Sequence, residues 1–152
     1  MPVIEYLATI NAPAEQIFAI LGDPARLPDY MPGITNVSDV VQTDERVGDT
    51  AKFTYKVLGL SFDYTGTVTE WEKDRKFVSK MDQPIMAGTY SASVEPQGDA
   101  AEVTLRMDYD IKLGLLGRAI NRIVLERMND NTLRHGLENL KILVEKEVGA
   151  SA

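Results

Sequence analysis

The stretch Ala101-Glu102-Val103-Thr104-Leu105-Arg106-Met107-Asp108-Tyr109-Asp110-Ile111-Lys112 decides the fold, together with the segment C-terminal to it. Val103, Leu105, Met107, Tyr109 and Ile111 fall on one face, and Thr104, Arg106, Asp108 and Asp110 on the other. Alternation with period two marks a strand with one face buried. The period then changes. Residues 114–147 contain no proline and read as one helix, roughly 50 Å long at 1.5 Å per residue. Leu115, Leu116, Ala119, Ile120, Ile123 and Val124 are apolar near its start; Leu133, Leu137, Leu140 and Val144 are apolar toward its end. Arg122/Glu126, Asp130/Arg134, Arg134/Glu138 and Lys141/Glu145 are opposite charges four apart, each adding a few tenths of a kcal/mol. Gly149 closes the pattern.

Upstream of the alternating strand lie further β-type runs at about 34–42, 49–58, 61–72, 75–82 and 86–96. The breaks between them, such as Lys73-Asp74 and Gln97-Gly98-Asp99, are short enough for antiparallel hairpins. Val3–Ile10 adds a strand, with Ile4, Tyr6, Ala8 and Ile10 on one face. Then Pro13 suits the first position of a short helix over 13–22, and Gly22-Asp23-Pro24 stops it. A second short helix is expected at about 24–30. This order is α+β: a seven-stranded antiparallel sheet, two short helices after the first strand, and a long C-terminal helix. A twisted sheet of that size curls around the one long helix available to cover it. With no linker or repeat in sight, residues 1–149 read as a single domain and 150–152 as a tail.

If the apolar faces of the strands point inward, the space under the helix is not filled. Ala51, Phe53, Tyr55 and Val57 share a face; so do Phe62, Tyr64, Gly66 and Val68, and Gly88, Tyr90, Ala92 and Val94. Small residues alternating with tyrosine make a poor dry core, because each hydroxyl needs a partner. They make a good wall for a small-molecule cavity. Gly66 and Gly88 have a second reading, as bends in a curved sheet. Mid-helix, Ile120, Val124, Met128, Asn131 and His135 lie along one line, with Arg127 nearby. If that line faces the sheet, polar groups stand opposite the tyrosines. In the alternative, Asn131 and His135 turn to solvent while Leu133 and Leu137 carry the packing. Tyr30 and Met31, between Pro28 and Pro32, are placed to guard an entrance.

Composition narrows the chemistry. Of 152 residues, 44% are apolar and 26% charged, which is globular composition. Sixteen Lys+Arg against 23 Asp+Glu give a net charge of −7, which argues against nucleic acid as a partner. No apolar run reaches the ~20 residues of a membrane span, and the N-terminus lacks a signal-peptide pattern, so the expected location is cytoplasmic. Cys is absent and His135 is the one histidine, which removes thiolate catalysis and Cys- or multi-His metal sites. No metal and no cofactor are expected. Asp108/Asp110 and Glu70/Glu72 each share a strand face; Asp108 and Asp110 read as surface charges, and Trp71 as packing or edge cover.

The sequence resembles the START-like superfamily, also called SRPBCC, with the helix-grip fold, and within it the polyketide cyclase/dehydrase-type lipid-transport proteins. The resemblance is carried by Thr9-Ile10-Asn11-Ala12-Pro13-Ala14-Glu15-Gln16-Ile17-Phe18, Leu21-Gly22-Asp23-Pro24, Tyr30-Met31-Pro32-Gly33-Ile34, Gly66-Thr67-Val68-Thr69-Glu70-Trp71 and Leu137-Glu138-Asn139-Leu140-Lys141, in order over nearly the whole chain. It implies a hydrophobic tunnel between sheet and terminal helix. It transfers no catalytic residue. The expectation is a binder of a hydrophobic or amphipathic small molecule (lipid, polyketide or quinone-like). Its candidate cavity residues are Phe53, Tyr55, Tyr64, Tyr90, Met107, Tyr109, Ile120, Val124, Arg127, Met128, Asn131 and His135, with Tyr30 and Met31 at the entrance. Two alternatives stand beside it: an enzyme of cyclase, aromatase or dehydratase type using cavity Tyr, His or Arg, and a protein-interaction subunit with a filled interior.

Overall fold

In a computed structural model, residues 3–57, 59–83, 86–111 and 122–151 are described. Residues 112–121, with Ile120 and the glycines Gly114 and Gly117, lie outside the described set, as do Leu58, Pro84 and Ile85. The strands are β1 (Val3–Ile10), β2 (Ile34–Val41), β3 (Thr50–Val57), β4 (Leu60–Glu72), β5 (Lys76–Asp82), β6 (Met86–Gln97) and β7 (Ala100–Ile111). They form one antiparallel sheet in the order β1-β7-β6-β5-β4-β3-β2. The chain's first strand thus pairs with its last, and β2 forms the far edge. Register shifts between Val68 and Glu70 on β4 and between Ser38 and Val41 on β2 mark irregularities of the kind that bend a strand.

Helix α1 (Ala14–Leu21) begins one residue later than its sequence pattern suggests. Pro13 is its N-cap in extended geometry, and its carbonyl accepts from Gln16 and Ile17. The second short helix is a 3-10 turn, Pro24–Asp29, which the Asp23 carboxylate opens by accepting from the Ala25 N–H. Helix α2 (Arg122–Ser151) runs through Gly149 rather than stopping there. No helix among the described residues is long and apolar enough to cross a membrane.

Inner faces fall where the alternation places them: Ala51, Phe53, Tyr55, Tyr64, Tyr90, Val103, Leu105, Met107 and Tyr109 are all buried. The second half of α2 packs solidly. Leu133, Leu137, Leu140 and Val144 are 0–3% exposed, in one cluster with Ile10, Ile17 and Leu105. Three polar links fix α2 against β1 and the segment after it: Tyr6 Oη donates to Asp130, Lys141 Nζ to the Thr9 carbonyl, and the Asn11 N–H to Glu145. Helix-grip architecture results: a bent sheet holding one long helix, with α1 and the 3-10 turn closing an end.

Candidate ligand cavity

A cavity of about 100 Å³, counted over positions open to the centre of a water-sized sphere, lies between β3–β7, the 3-10 turn and the first half of α2. A single water needs about 10–15 Å³ on that measure, so the hollow has room for several. Phe53, Tyr55, Tyr64, Tyr90 and Met107 line it, as does Met31 from the entrance segment. Four methionines, Met31, Met81, Met86 and Met107, contribute to the wall. Unbranched thioether chains change shape at low cost, so this wall adapts to an occupant.

Aromatic stacking positions the sheet side of the wall. The Phe53 and Tyr64 rings stack at 5.3 Å between centroids, and Phe77 meets Tyr90 edge-on at 6.0 Å. A Cβ at Gly66 would stand 2.9 Å from the Phe53 ring, so the missing side chain is what lets that ring lie over β4. Gly88 has the other reading: a Cβ there would come within 2.0 Å of the Asp108 carbonyl oxygen, so it permits a close backbone approach and opens no space.

Burial pushes the Tyr64 and Tyr90 phenols well above their usual range, and Tyr30 likewise. Tyr55 is raised by burial, against a hydrogen bond with Thr132 that lowers it. These groups remain neutral phenols, suited to wall and hydrogen-bonding roles and unsuited to accept a proton. The Tyr30 and Tyr90 hydroxyls are close enough for Tyr30 to lower Tyr90 slightly against burial. Neither completes a hydrogen bond of good geometry.

The rim is built by the loop between β2 and β3. Arg46, in left-handed backbone geometry, stacks its guanidinium 3.9 Å over the Trp71 ring. It donates to Asp49 Oδ2 at 2.9 Å and to the Gly22 carbonyl at 2.8 Å. Asp49 is 4% exposed and accepts two further bonds from Thr43. Burial raises its pKa, but the bonds from Thr43 and Arg46 outweigh that and hold it below the usual value. Trp71 is therefore more than edge cover: it packs on Phe18 and Phe77, carries Arg46 and lines the cavity.

On α2 the expected line is displaced by one residue. Val124, Arg127, Asn131 and His135 are exposed, and Met128 is half-buried against the core without reaching the hollow. The facing line runs through Leu125, Asn129, Thr132 and Gly136, about 100° round the helix. Asn131 and His135 thus turn to solvent while Leu133 and Leu137 pack, as the second sequence reading had it. Tyr109 is buried beside the cavity, with its hydroxyl hydrogen-bonded to Asn129. Tyr30 is buried behind the wall, 2% exposed, and not at an entrance; Met31 alone of that pair reaches the hollow. Asn129 and Gln83, 2% and 3% exposed, are wall residues that the sequence reading passed over. The signal for Asn129 was its spacing, four residues from both Leu125 and Leu133. Gln83, in the break between strands before Pro84, carries no such signal. Among the described residues, no cluster of His, Asp and Glu could hold a metal ion.

The sequence model of the family described as polyketide cyclase/dehydrase and lipid transport matches residues 1–145. The chain belongs to this family. Solved structures agree on the fold. A START superfamily protein from Mycobacterium smegmatis superposes with a TM-score of 0.79 at 17% identity, over 95% of this chain and 97% of that one. The Zhui aromatase/cyclase from Streptomyces sp. R1128 gives 0.78 at 16%, over 97% and 95%. TTHA0849 from Thermus thermophilus gives 0.79 at 16%, over 99% and 100%. No curated protein sequence matches the chain.

Proposed function

We propose that the family member described here binds a hydrophobic or amphipathic small molecule between its sheet and α2, as a carrier and not a catalyst. The observation that carries this reading is the hollow itself: an apolar, methionine-rich wall interrupted by a few buried polar groups, the usual make-up of a small-molecule site. An interaction subunit needs no such space. General acid–base work needs a group that changes protonation near neutral pH. The deep wall offers phenols held neutral by burial, and His135 and Arg127 stand outside. Burial of the ligand's apolar surface, at roughly 25 cal/mol per Å², supplies the affinity.

Trp71, the single tryptophan, sits in the wall and reports occupancy directly. The test is titration with an apolar dye and with lipid extract from the source cell, followed by Trp71 emission, alongside native mass spectrometry of the purified protein. A saturable change in emission with a co-purifying small molecule is expected. A silent Trp71 and an empty spectrum overturn the proposal.

A further inference from the structure

The carrier reading leaves open what kind of molecule fits, and one corner of the cavity answers. Gln83 leaves β5 and Asn129 comes from α2; both line the hollow and both flank Met86. The Gln83 N–H donates to the Met86 carbonyl at 2.8 Å, and Asn129 Nδ2 points at the Met86 sulfur at 3.4 Å. Gln83 Oε1 is buried and has no hydrogen-bond partner. Thioether sulfur is a weak acceptor, so the Asn129 N–H aimed at it gains by turning to an oxygen. A buried amide without its partner costs about 1–3 kcal/mol, so a wall that keeps one gains only when an occupant completes it.

The charged groups of the lining are already satisfied elsewhere. Arg46 and Asp49 neutralise each other at the rim, and Asp23 caps the 3-10 turn. An anionic ligand therefore meets no spare cation.

We infer that Gln83 and Asn129 form a paired-amide recognition point for an uncharged apolar compound bearing a hydroxyl group, the hydroxyl donating to Gln83 Oε1 and accepting from Asn129 Nδ2. The inference rests on the carrier reading. It makes Gln83 the residue that separates hydroxylated ligands from their hydrocarbon analogues.

The experiment compares 4-ethylphenol, ethylbenzene and 4-ethylbenzoate by calorimetry and Trp71 emission, on the full chain and on Gln83→Met, which keeps length and removes the amide. Expected for the unaltered chain is about tenfold tighter binding of 4-ethylphenol than of ethylbenzene, one good hydrogen bond's worth, with 4-ethylbenzoate weakest. Gln83→Met should bind ethylbenzene as well as before, lose the preference, and melt higher because an orphaned buried polar atom is gone. Asn129→Leu should lose the same preference independently. Binding of ethylbenzene with no preference for 4-ethylphenol, or a preference that survives Gln83→Met, overturns the inference while the carrier reading stands. Failure of all three compounds and of the apolar dye overturns both.

Discussion

The sulfur of Met31 occupies the space that a side chain at position 136 would need: a Cβ built on Gly136 would stand 2.7 Å from it. Met31 is at the same time part of the cavity wall, so one methionine joins the entrance segment, α2 and the hollow. The segment is clamped from both sides, by Asn139 Nδ2 donating to the Tyr30 carbonyl and by Arg26 paired with Glu147.

Gly136→Ala should therefore separate stability from binding. Alanine in a helix interior is about 1 kcal/mol better than glycine, and the atom in its way is the far end of a flexible chain. Urea unfolding is expected to shift by no more than about 1 kcal/mol either way. Met31, displaced toward the hollow, should weaken binding of an apolar dye severalfold. Unchanged dye affinity would show that Met31 has another place to go.

Gly88 and Gly66 look alike in the sequence, each a glycine on an inner strand face, yet they should respond differently to alanine. At Gly88 the new Cβ meets backbone, 2.0 Å from the Asp108 oxygen and 2.6 Å from the Tyr109 Cα. At Gly66 it meets the Phe53 ring edge at 2.9 Å. Rings turn; paired strands do not. Gly88→Ala should cost about 3 kcal/mol or more and Gly66→Ala about 1–2. Thermal and urea denaturation of both variants check the order, and the reverse order would refute the close approach of β6 and β7.

This contrast shows where reading the chain stops. Strand identities and their apolar faces were legible because Val103, Leu105, Met107 and Tyr109 alternate without a break, and because short loops leave only hairpins. Fold-level likeness pointed to a hollow. Which glycine makes room and which one admits a neighbour depends on register, which no local pattern encodes. The face of α2 was missed for a related reason. Val124 and Leu125 are both apolar, so two lines one residue apart compete, and the buried polar Asn129 erases the stripe that would have chosen between them. Arg46, Asp49 and Trp71 come together at the rim across 25 residues, linked by contacts that only the folded sheet creates.

At that rim, Arg46→Gln should cost about 2 kcal/mol or more, because it leaves the Asp49 carboxylate buried without its cation. Arg46→Gln with Asp49→Asn should recover part of the loss, since the uncompensated charge is then gone. A double-mutant cycle from urea unfolding gives the coupling. Simple additivity would show that the pair is not coupled. Trp71 emission should also change in Arg46→Gln, as the stacked guanidinium leaves the ring.

Stability should fall at both ends of the pH scale, for different groups. Glu145 is held below its usual value by hydrogen bonds from the Asn11 N–H and then Lys141; Asp49 is lowered by Thr43 and Arg46 despite burial. A carboxyl whose folded value lies below its unfolded one binds fewer protons when folded. Its contribution is complete above the usual value, 3.8 for Asp49 and 4.5 for Glu145, and is lost as pH falls through the folded one. The phenols act at the other end. Burial raises Tyr30, Tyr64 and Tyr90 above their usual 10.0, so the unfolded chain gives up those protons first. Their contribution is complete below pH 10.0 and drains away as pH climbs toward the folded values. Urea midpoints measured from pH 3 to 11 should show a plateau with two falling limbs. Glu145→Gln and Asp49→Asn should flatten the acid limb alone, and Tyr90→Phe the alkaline limb alone. An acid limb that Glu145→Gln and Asp49→Asn leave unaltered would detach both carboxyls from the stability of the fold.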